Sequence, residues 1–169
     1  MNYRITKLRD YLFDIINTLT EDRNYRINAD FLGKEGNYSL DKIPTDSVVE
    51  RWVTGVEIYR DVYSLRSRKP YSQDEINNLS NIGFFEDFEN KIKTNNKEGV
   101  LPEINGIESI ECLNCGTINS VDGTEATFDI QIQITYRNDG GTISLWQIKK
   151  LLLLKISMQM ASTISQVMS

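Results

Sequence analysis

The stretch from residue 125 to residue 137 reads EATFDIQIQITYR, and its apolar and polar side chains alternate. Alternation with a period of two places successive side chains on opposite faces of a β-strand. One face of this predicted strand carries the apolar residues Phe128, Ile130, Ile132, Ile134 and Tyr136. The other face carries Asp129, Gln131 and Gln133 together with two threonines. We therefore expect one buried face, which a second layer of structure must cover, and one face that forms hydrogen bonds.

Two segments have the apolar spacing of helices. Residues 2–20 place Ile5, Leu8, Leu12, Ile15, Ile16 and Leu19 on one face. Charged residues occupy the other side, so this segment predicts an amphipathic helix. The second predicted helix begins at a capping box, Ser72 to Glu75, and continues to about Lys97. Gly83 lies within it and permits a break.

Further strands are predicted at residues 25–32, 56–68 and 107–114. Pro70 ends the second of them, and a turn at 121–124 is expected to pair the third with the alternating strand. Residues 33–55 are typical of a long connection, within which 38–40 could form a short strand. The sequence thus predicts an α/β fold of the α+β type. Its mixed sheet has about four strands with two main helices packed on one face, in the order α-β-(β)-β-α-β-β.

Composition removes several classes of function. The chain contains no histidine, which is the commonest general base and metal ligand. It carries 24 acidic and 19 basic residues, for a net charge of −5, so it has no general attraction to nucleic acid or to anionic lipid. The longest apolar run is residues 151–154, and no signal peptide is recognisable. We expect a cytoplasmic, non-enzymatic protein with no cofactor, no metal, no membrane span and no sequence-specific binding to nucleic acid.

Charge is unevenly distributed along the chain. All acidic residues lie at or before Asp139, whereas residues 140–169 contain three lysines and no acid. Gly140 and Gly141 mark the change, so we predict a folded domain at 1–139 and a basic, apolar extension at 140–169. The extension is expected to be either helical or disordered. As an amphipathic helix it could lie on a membrane or dock on a partner, including a neighbouring subunit, or it could be irrelevant to the fold.

The candidate chemical motifs are weak. Cys112 and Cys115 form a lone C-x-x-C. Zinc binding would require two more ligands from another subunit, and redox activity would require the motif to open a helix. A structural or incidental role is therefore favoured over both. No glycine-rich phosphate-binding motif is present.

Basic residues and tyrosines are interspersed within the strand predicted at 56–68 and just after it. The basic residues are Arg60, Arg66, Arg68 and Lys69, and the tyrosines are Tyr59, Tyr63 and Tyr71. Three interpretations are open: a surface that stacks nucleic-acid bases, a sheet edge protected by charge, and a protein–protein contact. The acidity of the chain favours the last two equally over the first.

The connection at 33–55 is too long for a simple link and ends in two large apolar residues, Trp52 and Val53. We expect it to become ordered on oligomerisation, with Trp52 as an anchor. The predicted interface residues are Trp52, Val53, Tyr59, Arg66, Arg68, Asp129, Gln131 and Gln133.

Four segments together carry a resemblance to a known family. They read KLRDYLFDIINTL, RINADFLGKEGNYSLDKIP, SRKPYSQDEINNLSNIGFFEDFENKIKTNNKEGVLPEI and IQIQITYRND. In this order, with an aromatic helix followed by a Gly99-Val100-Leu101-Pro102 connection, residues 1–139 resemble small structural proteins of tailed bacteriophages that infect Gram-positive hosts. These proteins are called minor capsid proteins and are assigned the role of tail terminator.

The resemblance implies an α/β fold with helices on one side of a sheet and no catalytic residues. It also implies a homo-oligomeric ring, hexameric in this family, that caps the completed tail tube, stops its polymerisation and presents a surface for joining the head. The implied partners are further copies of the chain, the tail tube protein and a head-completion or connector protein, and DNA would pass through the lumen. The implied location is the virion tail or neck, and the host cytoplasm during assembly.

The alternative is another component of the head–tail neck, namely a head-completion or connector adaptor protein. The sequence departs from the family pattern in two places. Family members end near Asp139, so residues 140–169 are additional, and the C-x-x-C is not a feature of the family.

Overall fold

The computed structural model describes residues 3–20, 25–29, 32, 38–53, 55–71, 75–114 and 116–138. Three sequence predictions fall outside these residues: the extension at 140–169, the thiol of Cys115, and the capping residue Ser72.

The described chain is an α+β structure with two helices and a mixed sheet of seven strands, so the predicted class is confirmed. The elements are α1 (Arg4–Leu19), β1 (Ile27–Ala29), β2 (Tyr38–Ile43), β3 (Val48–Arg51), β4 (Glu57–Pro70), α2 (Glu75–Glu98), β5 (Ile107–Cys112), β6 (Thr117–Asp122) and β7 (Glu125–Asn138).

The sheet is built around β4 and β7, which are antiparallel and pair along their full length. Its main order is β1-β2-β4-β7-β5, with β3 also on β4 and β6 also on β7. The strands β2 and β3 pair with successive parts of β4, and β5 and β6 pair with successive parts of β7. Only β1 and β2 form a parallel pair, which is what makes the sheet mixed.

The predicted count of about four strands, and the predicted order, are wrong. The connection at 33–55 contains β2 and β3, which are separated by Pro44 and the three residues after it. The predicted pairing of 107–114 with the alternating strand is confirmed, since β5 is antiparallel to β7, but the hairpin turn joins β7 to β6, at 117–122. Residues 117–122 read TINSVD and lack an alternating pattern, so this strand exists because β7 offers it a pairing edge.

Direct pairing between β4 and β7 decides which side chains are buried. Leu65 lies opposite Ile130 and Tyr63 lies opposite Ile132, so these four side chains share one face. Both helices contribute to the core on this face. Its helical side chains are Leu8, Leu12, Ile15 and Ile16 of α1 and Phe85, Phe88 and Ile92 of α2. The alternation over 125–137 is confirmed, since every apolar member of β7 is buried.

The second helix continues through Gly83, so the break permitted there does not occur. A helical glycine costs about 1 kcal/mol relative to alanine, and burial of Phe85 and Phe88 just after it offsets that cost.

The second helix ends close to the predicted position. Gly99 has a φ of 73°, and the Val100 amide donates to the Asn95 carbonyl oxygen at 2.8 Å. This is the hydrogen bond of a Schellman cap, which glycine allows without strain.

Core packing of α2 can be tested with one buried and one exposed residue. Phe88 is fully buried, whereas Ile82 on the same helix is 50% exposed. We expect Phe88→Ala to lower the free energy of unfolding by about 3–5 kcal/mol, because it removes buried area and leaves a cavity. Ile82→Ala should change it by less than about 1 kcal/mol. Chemical denaturation followed by circular dichroism measures both, and equal losses would contradict this packing.

Gly106 allows the loop before β5 to approach β7 closely. Its φ is 72°, and a Cβ built there would lie 2.2 Å from the carbonyl oxygen of Arg137. Gly123, in the β6–β7 turn, has a similar φ of 62° but open space around it. The two glycines therefore share the same backbone strain on substitution and differ only in the steric clash.

We expect Gly123→Ala to cost about 1 kcal/mol of stability from strain alone. Gly106→Ala should cost at least about 2 kcal/mol more, because backbone atoms must move apart. Thermal denaturation compares the two variants. If the two melting temperatures fell equally, the close approach of Gly106 to β7 would be disproved.

Candidate interaction surface

The side of the sheet opposite the helices forms a polar surface, which we call the open face. Its polar side chains are Asp41 on β2, Arg66 and Arg68 on β4, and Asp129, Gln131 and Gln133 on β7, and the buried side chains of Ile58 and Val62 on β4 lie on the same side. Arg66 pairs directly with Asp129, and Ser64 pairs with Gln131, which places these four side chains on the same side. Asp129, Gln131 and Gln133 are each partly exposed. The prediction that the polar side of the alternating strand lies away from the core is therefore confirmed.

Ion pairs and hydrogen bonds connect three strands across the open face. The Nε of Arg66 donates to Oδ2 of Asp41 at 2.6 Å, and the hydroxyl of Ser39 donates to Oδ1 of the same carboxylate at 2.8 Å. The hydroxyl of Ser64 donates to the carboxylate of Asp129. Ser39 and Ser64 are themselves buried, whereas Arg66 and the two carboxylates remain partly exposed. Each such contact contributes about 1 kcal/mol, so its main effect is to fix the orientation of these side chains.

Trp52 and Val53 form the turn between β3 and β4, as an exposed apolar hairpin tip. The Trp52 side chain is 48% exposed and Val53 is fully exposed. The Arg137 guanidinium lies 5.8 Å from the centre of the Trp52 ring. Val48 and Val49 of β3 are also exposed and extend this apolar region. Sequence reasoning missed these two valines, although the adjacent pair in SVVER was a visible signal.

The tyrosines and arginines of β4 do not form one mixed surface. Tyr59 lies on the helix side, where its ring stacks on Tyr136 with centroids 5.6 Å apart. Tyr63 is also on that side and is only 2% exposed. Arg66 and Arg68 lie on the open face, because residues at odd and even positions of a strand point in opposite directions. Of the predicted interface residues, Tyr59 is thus separated from the others on β4 and β7.

A buried carboxylate on the helix side was not foreseen. Asp61 is 1% exposed and accepts a hydrogen bond from Nε of Arg4 at 3.1 Å. The Nζ of Lys42 lies 2.7 Å from its other oxygen. The Arg4 guanidinium also lies 4.5 Å from the centre of the Tyr136 ring. Asp61 therefore ties the start of α1 and the end of β2 to the middle of the sheet.

The surroundings of Asp61 also affect the neighbouring phenols. Burial, together with the Asp61 carboxylate, raises the pKa of Tyr63 to about 12. The same two causes, burial first, raise the pKa of Tyr136. An open cleft of about 470 Å³ lies beside these residues, between the start of α1 and the end of β7. Among its charged groups, Lys7 and Glu103 pair with each other, with Nζ 2.6 Å from Oε2, whereas Arg4 pairs with Asp61.

Among the described residues, no three histidine, cysteine, aspartate or glutamate residues are close enough to hold a metal ion. Cys112 lies at the end of β5 and is partly buried. Within the same parts of the chain, neither helix has the length and apolar character needed to cross a bilayer.

A scan against models of known protein families found no match to this chain. A search of curated proteins found no significant match either.

The shifted pKa of Tyr63 predicts a loss of stability at alkaline pH. In the unfolded chain this phenol ionises near pH 10, whereas in the folded chain it keeps its proton up to about 12. The contribution of this raised pKa to the free energy of unfolding is complete below pH 10. Between pH 10 and 12 it decreases by about 1.4 kcal/mol per pH unit. Tyr63→Phe should make the free energy of unfolding fall less steeply over this interval.

Urea denaturation at several pH values between 9 and 12 measures that slope. Tyr3→Phe, which removes an exposed hydroxyl at the start of α1, is the matched control. Parallel slopes for the wild type and Tyr63→Phe would show that Tyr63 does not keep its proton in the folded protein.

Proposed function

We propose that this chain is a structural protein of a tailed bacteriophage that acts as a tail terminator. Identical subunits form a closed ring, with six as the expected number. The ring caps the completed tail tube, stops its polymerisation and offers a surface to which the head is joined. In this proposal the protein is no enzyme, binds no cofactor, and resides in the tail or neck of the virion after assembly in the host cytoplasm.

The observation that carries the proposal is the open face of the sheet. A sheet face that belongs to a dry core is apolar throughout, whereas this one adds acids, arginines and glutamines to the buried side chains of Ile58 and Val62. Its charges are held by neighbours on adjacent strands, as in the Arg66–Asp41 pair. Such a surface suits a hydrated lumen or a wet contact between subunits. The resemblance of residues 1–139 to tail terminators supplies the specific assembly.

The hairpin tip supports the same proposal. Trp52, Val53 and Val49 are exposed together at one end of the molecule. Exposed apolar clusters commonly mark protein–protein contacts, and tryptophan is enriched among the residues that dominate their binding energy. A closed ring requires two different contact surfaces on each subunit. The hairpin tip offers one such surface.

Electron microscopy with tail tubes tests the function directly. The purified chain is mixed with tubes polymerised from the tail tube protein of the same genome. The proposal expects six-fold rings at one end of each tube and a block to further elongation. Rings that leave elongation unchanged and bind the head connector would contradict the terminator role and identify a neck adaptor instead.

Trp52→Ala should weaken ring formation without unfolding the subunit. Removing a central aromatic anchor costs about 2 kcal/mol at a contact, which corresponds to roughly 30-fold weaker association. Tyr3→Ala removes another exposed aromatic ring, on a different part of the surface, and serves as the control. Sedimentation velocity over a range of concentrations measures the effect. Equal association by both variants and the wild type would exclude Trp52 as an anchor.

A further inference from the structure

Two strands at opposite edges of the sheet have exposed side chains along their whole length. All four side chains of β3 and all six side chains of β6 are exposed. β3 pairs with β4 on one side, and β6 pairs with β7 on one side. Among the described residues, none pairs with the outer edge of either strand. Each strand therefore presents a row of backbone donors and acceptors that a further strand can use.

The two strands are only partly protected against such pairing. Lysine and proline, which are common on the edge strands of monomeric proteins, are absent from both, and the charged residues present are Glu50 and Arg51 on β3 and Asp122 on β6. The sequences VVER and TINSVD instead contain Val48, Val49, Ile118 and Val121, all of which are exposed. Each strand has a single irregularity in its pairing, between residues 48 and 50 in β3 and between 118 and 120 in β6.

The directions of the two strands are compatible. β3 is antiparallel to β4, β4 to β7, and β7 to β6, so β3 and β6 run in opposite directions. If β6 of one copy lies beside β3 of the next copy in the same orientation, the two strands form an antiparallel pair. We propose that neighbouring copies of this chain join in this way, so that one continuous sheet passes from subunit to subunit.

One register fits the side chains of this joint. Val48 lies on the helix side because it pairs with Tyr59, and Val121 lies on that side because it pairs with Ala126. Of the registers that keep both on one face, the one that brings the two valines into contact places Val48 directly opposite Val121. Going along the strands, Glu50 then faces Asn119 and Arg51 faces Ile118. No like charges face each other in this register. Like charges directly opposite each other would destabilise the pair.

The position of the two edges makes the contact heterologous. β3 lies level with residues 136–138 of β7, whereas β6 pairs with residues 125–129. The two edges are thus offset by about ten residues, roughly 34 Å along the strands. Because the joined surfaces differ, each copy uses its β6 on one neighbour and its β3 on the other. Such contacts close into a ring when the rotation between copies allows it.

This inference rests on the proposed ring and identifies the contact that builds it. Disulfide trapping tests it in the full-length chain with Cys112→Ser and Cys115→Ser. Val48→Cys and Val121→Cys are added together; they lie on opposite edges of one subunit but face each other between copies. Directly opposed positions in an antiparallel pair have Cα atoms about 4.5–5.5 Å apart, within the range a disulfide can bridge.

Oxidation should give a ladder of covalent multimers on a non-reducing gel. The amount of covalent multimer should be at least tenfold higher than in the control pair, Val48→Cys with Val100→Cys. Val100 is equally accessible, at 50% exposure, but lies in the loop after α2. In a second experiment, Val121→Lys in the otherwise native chain places a charge on the exposed edge. It should weaken association at least tenfold in sedimentation velocity, whereas Val100→Lys should not.

The outcomes separate the two proposals. A multimer ladder together with weakened association of Val121→Lys supports the edge contact. Rings that form normally in Val121→Lys, without a ladder above the control, would overturn the edge contact and leave the proposed function intact. A wild-type chain that stays monomeric at all concentrations would overturn both.

Discussion

Fourteen consecutive residue pairs join β4 and β7, and the remaining strands and both helices are arranged around this antiparallel ladder. At about 3.4 Å per residue, the ladder is roughly 44 Å long from its first residue to its last. Residues that pair directly point to the same face of the sheet. Leu65 and Ile130 face the helices, whereas Arg66 and Asp129 face away from them. The buried core and the open face are therefore two consequences of one register. A shift of the register by one residue would exchange them.

Charged groups are used differently on the two sides of this ladder. On the helix side, Asp61 is buried and is compensated by Arg4 and Lys42, which reach it from α1 and β2. A buried carboxylate is tolerated only with such partners, so it fixes where these two elements attach. On the open face, Arg66 and Asp41 pair while partly hydrated, which orders the surface with little effect on stability.

The elements predicted well are those whose signal lies within their own sequence. Alternation over 125–137 predicted β7 and its two faces, and Gly99 marked the end of α2. The strands β3 and β6 were missed because their sequences have no period, and they are strands only through pairing with β4 and β7. The contact of Asp61 with Arg4 was missed because it joins residues 57 positions apart, which no local pattern encodes. Among the predicted interface residues of β4, Tyr59 lies on the helix side and Arg66 and Arg68 lie on the open face, because alternate residues of a strand point in opposite directions.

The account holds that this chain acts through its surfaces, by presenting strand edges, an apolar hairpin tip and a hydrated sheet face to copies of itself. A closed assembly has a fixed number of subunits, whereas an open one grows with concentration. Native mass spectrometry of the full-length chain over a hundredfold range of concentration distinguishes these cases. We expect one dominant oligomer of constant mass, corresponding to six chains. A monomer throughout the range, or a series of masses without an upper limit, would contradict the account.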